Sequence, residues 1–267
     1  MTFLGQHFLN NASAIQKIVD AVGVSAGDTI IEVGPGEGAI TAPLATLCAE
    51  RGATLYAIEK DTKLVIDIQK KIPLLAGHVE HGDALAILPH LVSRYNLQPT
   101  SYKLVGNIPY YITGNLLRII GELKHKPSKI VLMIQKEVAE RVSAEPGEMN
   151  LLAAATQYWG APKILFTLKP KDFTPPPEVS SAVISIAPRL PATDHSPSSY
   201  YRFIKAAFKQ PRKTLHNNLT EAFPDISREA LAAIIEQNGL KTGVRAQELS
   251  VEKLEVLAQA FDAPKSA

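Results

Sequence analysis

Three groups of residues in the first half of the chain have the types and spacing needed to hold a nucleoside. The glycine-rich stretch 34–38 can turn tightly and bring its backbone close to a ligand. Glu59 lies about 20 residues further on, where an acid can bind ribose hydroxyls. Asp83 can accept a hydrogen bond from the exocyclic amine of adenine. Together they predict a ligand that contains adenosine, with Gly34 and Gly36 at its centre.

This glycine-rich stretch has two other interpretations. Extended to Ala39, it also fits the dinucleotide pattern G-x-G-x-x-G/A, which is typical of nicotinamide-dependent dehydrogenases. A glycine turn that binds nothing is the other alternative. The dehydrogenase hypothesis lacks a residue suited to acid and base chemistry in hydride transfer.

The tetrapeptide from Asn107 to Tyr110 is suited to chemistry on an aromatic amine. The lone pair of such an amine is delocalised into its ring, which makes the nitrogen a poor nucleophile. The Asn107 side-chain oxygen and the carbonyl of Ile108 or Pro109 can each accept one amino hydrogen. These bonds would direct the lone pair toward a methyl donor while Tyr110 stacks on the base. The alternative is an Asn-containing turn with Tyr110 in the core.

A second aromatic residue, Phe173, precedes a run of three prolines. It can cover the other face of the base, or it can simply be buried beside a polyproline crossover. Pro109 restricts the geometry of the loop before Tyr110. Because a sulfonium donor is already activated, transfer of its methyl group mainly requires positioning, and we expect no metal.

Strand-like runs separated by helical stretches place these residues at strand ends. We predict a doubly wound parallel sheet, in an α/β fold, from strands at 29–33, 54–58, 78–81, 102–105, 130–134, 163–168 and 181–186. The first four runs end next to Gly34, Glu59, Asp83 and Asn107. Ligands of open α/β sheets bind beyond the carboxyl ends of the strands, so these positions should converge.

The chain divides where Pro and Ser become frequent. We predict a catalytic domain at 1–188, a linker at 189–199 that cannot sustain a helix, and a small all-helical domain at 200–267. In that last domain Ser227 can cap a helix that stops at Gly239, and Ser250 can cap another.

Composition excludes several classes of protein. The 267 residues are 46% hydrophobic, which argues against disorder, and their formal net charge of +2 gives no overall cationic field. Cys48 is the only cysteine, so we expect it to be buried and expect neither a disulfide nor a cysteine metal cluster. Without a secretory signal or a membrane-length apolar run, we expect a cytoplasmic protein that does not associate with membranes. Nothing in the pattern demands an oligomer, and we expect a monomer.

Motifs along nearly the whole chain resemble the KsgA-type (RsmA-type) ribosomal RNA adenine dimethyltransferases. The matching segments are 5–9 (GQHFL), 32–36 (EVGPG), 59–61 (EKD), 82–84 (GDA), 106–112 (GNIPYYI), 135–138 (QKEV), 173–179 with 180–183, and 212–215 (RKTL).

This resemblance implies a Rossmann-like methyltransferase domain that uses S-adenosyl-L-methionine. It also implies N6,N6-dimethylation of two adjacent adenosines in a hairpin loop near the 3′ end of 16S rRNA, in a 30S subunit or its precursor, during ribosome biogenesis. By the same matching, the residues that contact the cofactor would be His7, Leu9, Gly34, Glu59, Asp83 and Asn107.

A basic stretch in the helical domain is suited to an RNA backbone. No acidic residue occurs between His195 and Thr220, whereas five cations do: Arg202, Lys205, Lys209, Arg212 and Lys213. Such clustering favours phosphate contacts with little base readout. The alternative is an ordinary solvated helix face.

Two related functions compete with this assignment. The 23S rRNA adenine methyltransferases of macrolide resistance share the glycine loop and the Asn-Ile-Pro-Tyr motif, but segments 173–177 and 213–219 look more like the small-subunit enzyme. A non-enzymatic assembly or transcription factor on the same fold would not need the Asn107 motif.

Overall fold

The computed structural model describes residues 7–99, 101–192 and 196–262. These form two compact units. The first contains the described residues up to Glu140 together with Pro162–Pro188, and the second contains Arg141–Ala161 and the described residues from Arg189 onward. Gly5 and Gln6 of the family resemblance, 193–195 of the linker, and 263–267 lie outside the described residues.

The strands are β1 (Phe8–Leu9), β2 (Thr29–Val33), β3 (Thr54–Glu59), β4 (Val79–His81), β5 (Tyr102–Asn107), β6 (Lys129–Gln135), β7 (Gly160–Leu168), β8 (Phe173–Thr174) and β9 (Ser181–Pro188). The helices are α1 (Ala12–Val22), α2 (Thr41–Arg51), α3 (Thr62–Lys71), α4 (Ala84–Arg94), α5 (Thr113–Glu122), α6 (Lys136–Val142), α7 (Leu151–Gln157), α8 (Pro197–Ala207), α9 (Leu215–Ala222), α10 (Arg228–Gln237) and α11 (Val251–Asp262).

The main sheet has the order β4-β3-β2-β5-β6-β9-β7 within the described residues. β2 pairs in parallel with both β3 and β5, so the chain reverses its direction of winding between β2 and β5. The central strands are almost wholly buried, as expected of a sheet covered on both faces. The predicted α/β fold and all seven predicted strands are confirmed, with ends that differ by a few residues at most.

One part of the predicted sheet was wrong. β9 runs antiparallel to β6, with Ile130 opposite Ile186 and Gln135 opposite Ser181. A buried parallel strand and a buried antiparallel strand present the same run of apolar residues, so the pattern of β9 contains no signal of its direction.

Capping residues begin the helices that follow the strands. Asp61 accepts hydrogen bonds from the first backbone N–H groups of α3, and Asp83 does so for α4. In the second unit Ser227 caps α10, Gly239 follows it with φ 73°, and the Ser250 hydroxyl accepts from the Lys253 N–H. The caps predicted from sequence are confirmed, and Cys48 is buried as predicted.

The boundary segments differ from the prediction in two respects. α8 begins at Pro197, inside the predicted linker, because proline is compatible with the first turn of a helix and the Ser196 hydroxyl caps it. Segment Arg141–Ala161, which we predicted to be part of the catalytic domain, clusters with the C-terminal helices. There the Tyr200 hydroxyl donates to the Ala154 carbonyl, a contact that sequence position does not reveal.

No helix in the described parts of the chain combines the length and apolar character needed to cross a membrane.

Candidate active site

A cleft of about 750 Å³, counted with its open mouth, lies where β2 and β5 end. Its walls come from β1, β8, the ends of β2, β3 and β5, and the segments that follow β2 and β5. They are His7, Phe8, Leu9, Glu32, Gly34, Pro35, Gly36, Ala39, Ile40, Glu59, Asn107, Ile108, Pro109, Tyr110 and Phe173. The structure thus brings together every predicted catalytic residue and every predicted cofactor-binding residue except Asp83.

β2 and β5 approach each other closely just before the glycine-rich stretch and Asn107. Gly106 pairs with Val33, and a Cβ at Gly106 would lie 2.3 Å from the Val33 carbonyl oxygen. Only glycine allows this spacing, since the obstacle is backbone. The sequence analysis gave Gly106 no role, although its position directly before Asn107 was a usable signal.

The glycine-rich stretch is tied to Glu59 by hydrogen bonds. The Gly36 N–H donates to Glu59 Oε2 at 3.2 Å, and the N–H groups of Lys60 and Asp61 donate to Oε1 at 2.8 and 2.9 Å. Gly36 has φ 57°, and a Cβ there would lie 3.1 Å from the Phe8 ring. This backbone therefore passes between a buried carboxylate and an aromatic wall, at a position where a side chain would be strained.

Glu32 is a second buried acid in the cleft, and sequence reasoning missed it. Its side chain is 1% exposed, and neither Glu32 Oε2 nor the neighbouring Thr41 hydroxyl has a well-formed hydrogen bond within the described residues. Burial raises the pKa of the Glu32 carboxyl to about 8; the Thr41 hydroxyl opposes this shift, and the negative charge of Glu59 adds to it. Its position directly before the glycine-rich stretch was the available signal.

Asp83 lines an adjoining outer pocket of about 490 Å³, which shares Gly34, Glu59 and Pro109 with the cleft. Asp83 Oδ1 accepts from the Leu85 N–H at 2.9 Å, and Oδ2 accepts from Lys60 Nζ at 3.1 Å. The Leu85 hydrogen bond lowers the pKa of the Asp83 carboxyl, and Lys60 lowers it further. Asp83 is therefore an ionised acceptor, held at the first turn of α4.

The Asn107 side chain is oriented by the N-terminal segment. Its Nδ2 donates to the His7 carbonyl oxygen at 3.1 Å, and Oδ1 accepts no hydrogen bond from the described residues. His7 Nδ1 lies 2.8 Å from the Pro175 carbonyl oxygen, so Nδ1 is the donor. The amide oxygen of Asn107 is thus left available as an acceptor at the cleft.

The carbonyls of Ile108 and Pro109, the two candidates for the second acceptor of an amino hydrogen, differ in their hydrogen bonds. The Pro109 carbonyl accepts from the Ile112 N–H at 3.1 Å, whereas the Ile108 carbonyl accepts none from the described residues. Ile108 is therefore the better candidate for this role.

Two aromatic side chains stand in the cleft. The Tyr110 hydroxyl lies 3.0 Å from the Ser181 hydroxyl, which fixes the edge of the ring. Phe173 lines the cleft and is 4% exposed, so it belongs both to the cleft and to the core. β8, which carries Phe173, pairs with β1 so that Leu9 lies opposite Phe173. The two interpretations of Phe173 are therefore compatible.

The five predicted RNA-binding cations occur along α8 and the loop before α9 in the second unit. The loop is held by Asn218, whose Nδ2 donates to the carbonyls of Ala207 and Gln210 and whose Oδ1 accepts from the Gln210 N–H. Asn218 is 1% exposed, so these bonds form a buried brace. Sequence reasoning did not identify it.

Glu221, which lies just beyond the basic stretch in the sequence, neutralises part of its charge. Glu221 accepts from Lys213 Nζ at 2.5 Å, from Lys209 Nζ at 3.4 Å and from Gln210 Nε2 at 3.3 Å. These lysines lower the pKa of the Glu221 carboxyl, Lys213 most strongly. Two of the five predicted cations, Lys209 and Lys213, are therefore paired in the protein, because the last turn of α9 places Glu221 beside the loop.

Comparisons with known proteins agree with this geometry. Residues 1–261 match the family described as "Ribosomal RNA adenine dimethylase". A relative from Koribacter versatilis, "Ribosomal RNA small subunit methyltransferase A", is 37% identical over 265 residues, covering 94% of this chain and 90% of its own.

Two solved structures share the fold. A dimethyladenosine transferase from Plasmodium falciparum has a TM-score of 0.80 at 22% identity, covering 96% of this chain and 97% of its own. The 23S rRNA methyltransferase ErmE has a TM-score of 0.71 at 22% identity, covering 96% and 99%. Together with the match over 261 residues, these findings show that the chain belongs to the ribosomal RNA adenine dimethylase family.

Proposed function

We propose that this protein uses S-adenosyl-L-methionine to dimethylate N6 of two adjacent adenosines in a hairpin loop near the 3′ end of small-subunit rRNA. The observation that carries the proposal is the Asn107 amide, whose nitrogen is held by His7 and whose oxygen is left as an acceptor in a cleft with aromatic walls. The curated relatives named as small-subunit methyltransferases support the choice of RNA.

The cleft fits a cationic cofactor. Glu32 and Glu59 are both buried in it, and within the described residues no Lys, Arg or His side chain forms an ion pair with either. The Glu59 carboxylate complements a ligand that brings positive charge, and a cation beside Glu32 would favour the ionised form of that carboxyl, whose pKa burial raises to about 8. The residues that would hold the cofactor are His7, Leu9, Gly34, Gly36, Glu59, Asp83 and Asn107. When bound, the cofactor supplies an activated methyl group on its sulfonium.

The chain's own residues prepare the target amine. In the first transfer Asn107 Oδ1 and the Ile108 carbonyl each accept one amino hydrogen, which concentrates the nitrogen lone pair toward the incoming methyl group. In the second transfer the one remaining N–H bonds to one of these two acceptors, and after each transfer the methylated nitrogen releases one proton to solvent. Tyr110 and Phe173 contact the two faces of the extruded adenine. Pro109 limits the motion of the loop that carries these acceptors. The rate gain comes from positioning, because the leaving group needs no further activation.

In the second unit the basic residues would contact RNA phosphates and orient the hairpin. Arg202 and Lys205 lie one turn apart on α8, and Arg212 lies in the loop that Asn218 braces. Contacts of this kind provide affinity with little sequence readout. We infer that the protein acts as a monomer in the cytoplasm, on a 30S subunit or its precursor.

The test is nucleoside mass spectrometry after incubation with S-adenosyl-L-methionine and ribosomal subunits from a strain that lacks small-subunit adenine dimethylation. We expect N6,N6-dimethyladenosine in the small-subunit reaction only. Product only in the large-subunit reaction would instead assign the protein to the resistance-type enzymes. Cofactor binding without product in either reaction would indicate a non-catalytic factor.

A further inference from the structure

Tyr111 is a large aromatic side chain that the proposed chemistry does not use. Its side chain is 62% exposed, yet it forms one wall of the outer pocket, together with Asp83 and Lys60. Exposure of an aromatic ring at the rim of a pocket costs free energy that a flat apolar ligand would recover.

The two consecutive tyrosines serve different pockets. Both lie on the single turn Tyr110–Ile112, but Tyr110 lines the cleft and Tyr111 lines the outer pocket. Tyr110 is anchored by Ser181, whereas the Tyr111 ring stacks on no other ring within the described residues. The Tyr111 ring is therefore available to a ligand.

The other walls of the outer pocket are suited to a planar ring that carries an amino group. Ile58, Ala84 and Ile112 supply apolar surface, and Asp83 supplies an ionised acceptor at the first turn of α4. Glu59 borders both this pocket and the cleft. A ligand that reaches from the cleft past Glu59 would place its ring in the pocket that Asp83 and Tyr111 line.

We propose that Tyr111 binds the adenine ring of the cofactor by stacking, as one face of the outer pocket. This inference rests on the proposed use of S-adenosyl-L-methionine, but not on the identity of the RNA. Lys60, whose ammonium bonds Asp83 and lies near Tyr111, also lines this pocket and is about half exposed.

The test is isothermal titration of purified protein with S-adenosyl-L-methionine and with S-adenosylhomocysteine, which keeps the adenine but lacks the transferable methyl group. Base stacking on an aromatic side chain predicts that Tyr111→Ala weakens binding of both ligands by about tenfold or more. Tyr111→Phe keeps the ring and should bind within about twofold of wild type. Leu74→Ala is the matched control, since Leu74 is 57% exposed and lines neither pocket.

Binding of both ligands by Tyr111→Ala at wild-type affinity would overturn the inference, and so would equal weakening by Tyr111→Phe. Unchanged cofactor affinity with a raised KM for RNA would assign the ring to a flanking nucleotide instead. The titration needs no RNA, so failure of the inference is distinct from failure of the proposed function. If wild type binds cofactor but forms no dimethyladenosine, only the function fails.

Discussion

Asn107 combines two hydrogen-bonding roles in one side chain. Its amide nitrogen is engaged by the His7 carbonyl, so the oxygen is the atom left for a substrate. A residue that acts on the amine mainly in the transition state contributes to kcat more than to cofactor binding.

We therefore expect Asn107→Ala to lower methyl transfer by orders of magnitude while cofactor affinity stays within a few-fold. Single-turnover methylation and titration calorimetry measure the two quantities separately. Asn107→Asp keeps an acceptor oxygen and should retain more activity than Asn107→Ala. Near-wild-type turnover of the alanine variant would refute the assigned role.

Glu32 makes the stability of the first unit depend on pH. The unfolded chain releases this proton near pH 4.5, whereas the folded chain holds it to about pH 8, so the folded state binds more protons between these values. The free energy of unfolding contributed by Glu32 therefore falls as pH rises through this window, by at most about 1.4 kcal/mol per pH unit.

Glu32→Gln should remove this contribution, so that the variant gains stability relative to wild type from pH 5 to pH 8. Urea unfolding at several pH values measures the difference. Glu37→Gln, which changes an exposed acid in the loop after β2, is the control and should not change the slope of stability against pH. At pH 8 the more stable Glu32→Gln protein should also bind the cationic cofactor more weakly. If the free energy of unfolding depends on pH in the same way in Glu32→Gln and in wild type, then Glu32 is not protonated in the folded protein.

At the scale of elements, α9 supplies an acid that pairs with two of the predicted RNA-binding cations. Its first turn follows Arg212 and Lys213, and its last turn returns Glu221 to Lys209 and Lys213. A carboxylate at this position competes with RNA phosphate for the same ammonium groups.

Glu221→Gln should therefore strengthen binding to small-subunit RNA several-fold and steepen its dependence on salt, because two cations become available to phosphate. Arg212→Glu with Lys213→Glu should do the opposite and reduce the salt slope. Filter binding over a range of salt concentrations measures both. Glu236→Gln, which changes an exposed acid on α10, is the control. If the RNA affinity and salt dependence of Glu221→Gln equal those of this control, then Lys209 and Lys213 do not contact RNA.

At the scale of the whole molecule, the segment that follows β9 is held to α11 by a buried ion pair in the second unit. Arg189 follows β9 directly and donates to the Glu255 carboxylate at 2.7 Å, while Glu255 on α11 is 0% exposed. The Arg189 side chain also donates to the Gln157 carbonyl, and its N–H donates to the Trp159 carbonyl.

Arg189→Met should destabilise this unit by about 3 to 5 kcal/mol, since it leaves the Glu255 carboxylate buried without its charged partner, although the Ala192 N–H still donates to it. Hydrogen exchange of the α11 amides is the measurement, and faster exchange is expected. Arg94→Met breaks a solvent-exposed ion pair with Glu80 and should cost less than about 1 kcal/mol. Equal, small effects of the two substitutions would show that Arg189 does not stabilise α11.

Local chemistry was enough to predict much of the fold. The apolar runs, the caps at Ser227 and Ser250, and the placement of Glu59 and Asn107 at strand ends follow from periodicities and side-chain preferences that act within a few residues. Parallel strands bring their carboxyl ends to one edge, so the convergence of these residues was also predictable.

Only the tertiary structure could decide what depends on contacts between distant segments. The direction of β9, the assignment of Arg141–Ala161 to the second unit, and the pairing of β1 with β8 join positions far apart in the chain. The charge state of Glu32 depends on burial, which no local pattern encodes. Sequence alone therefore determined which residues can do chemistry, and packing decided which of their atoms remain free to do it.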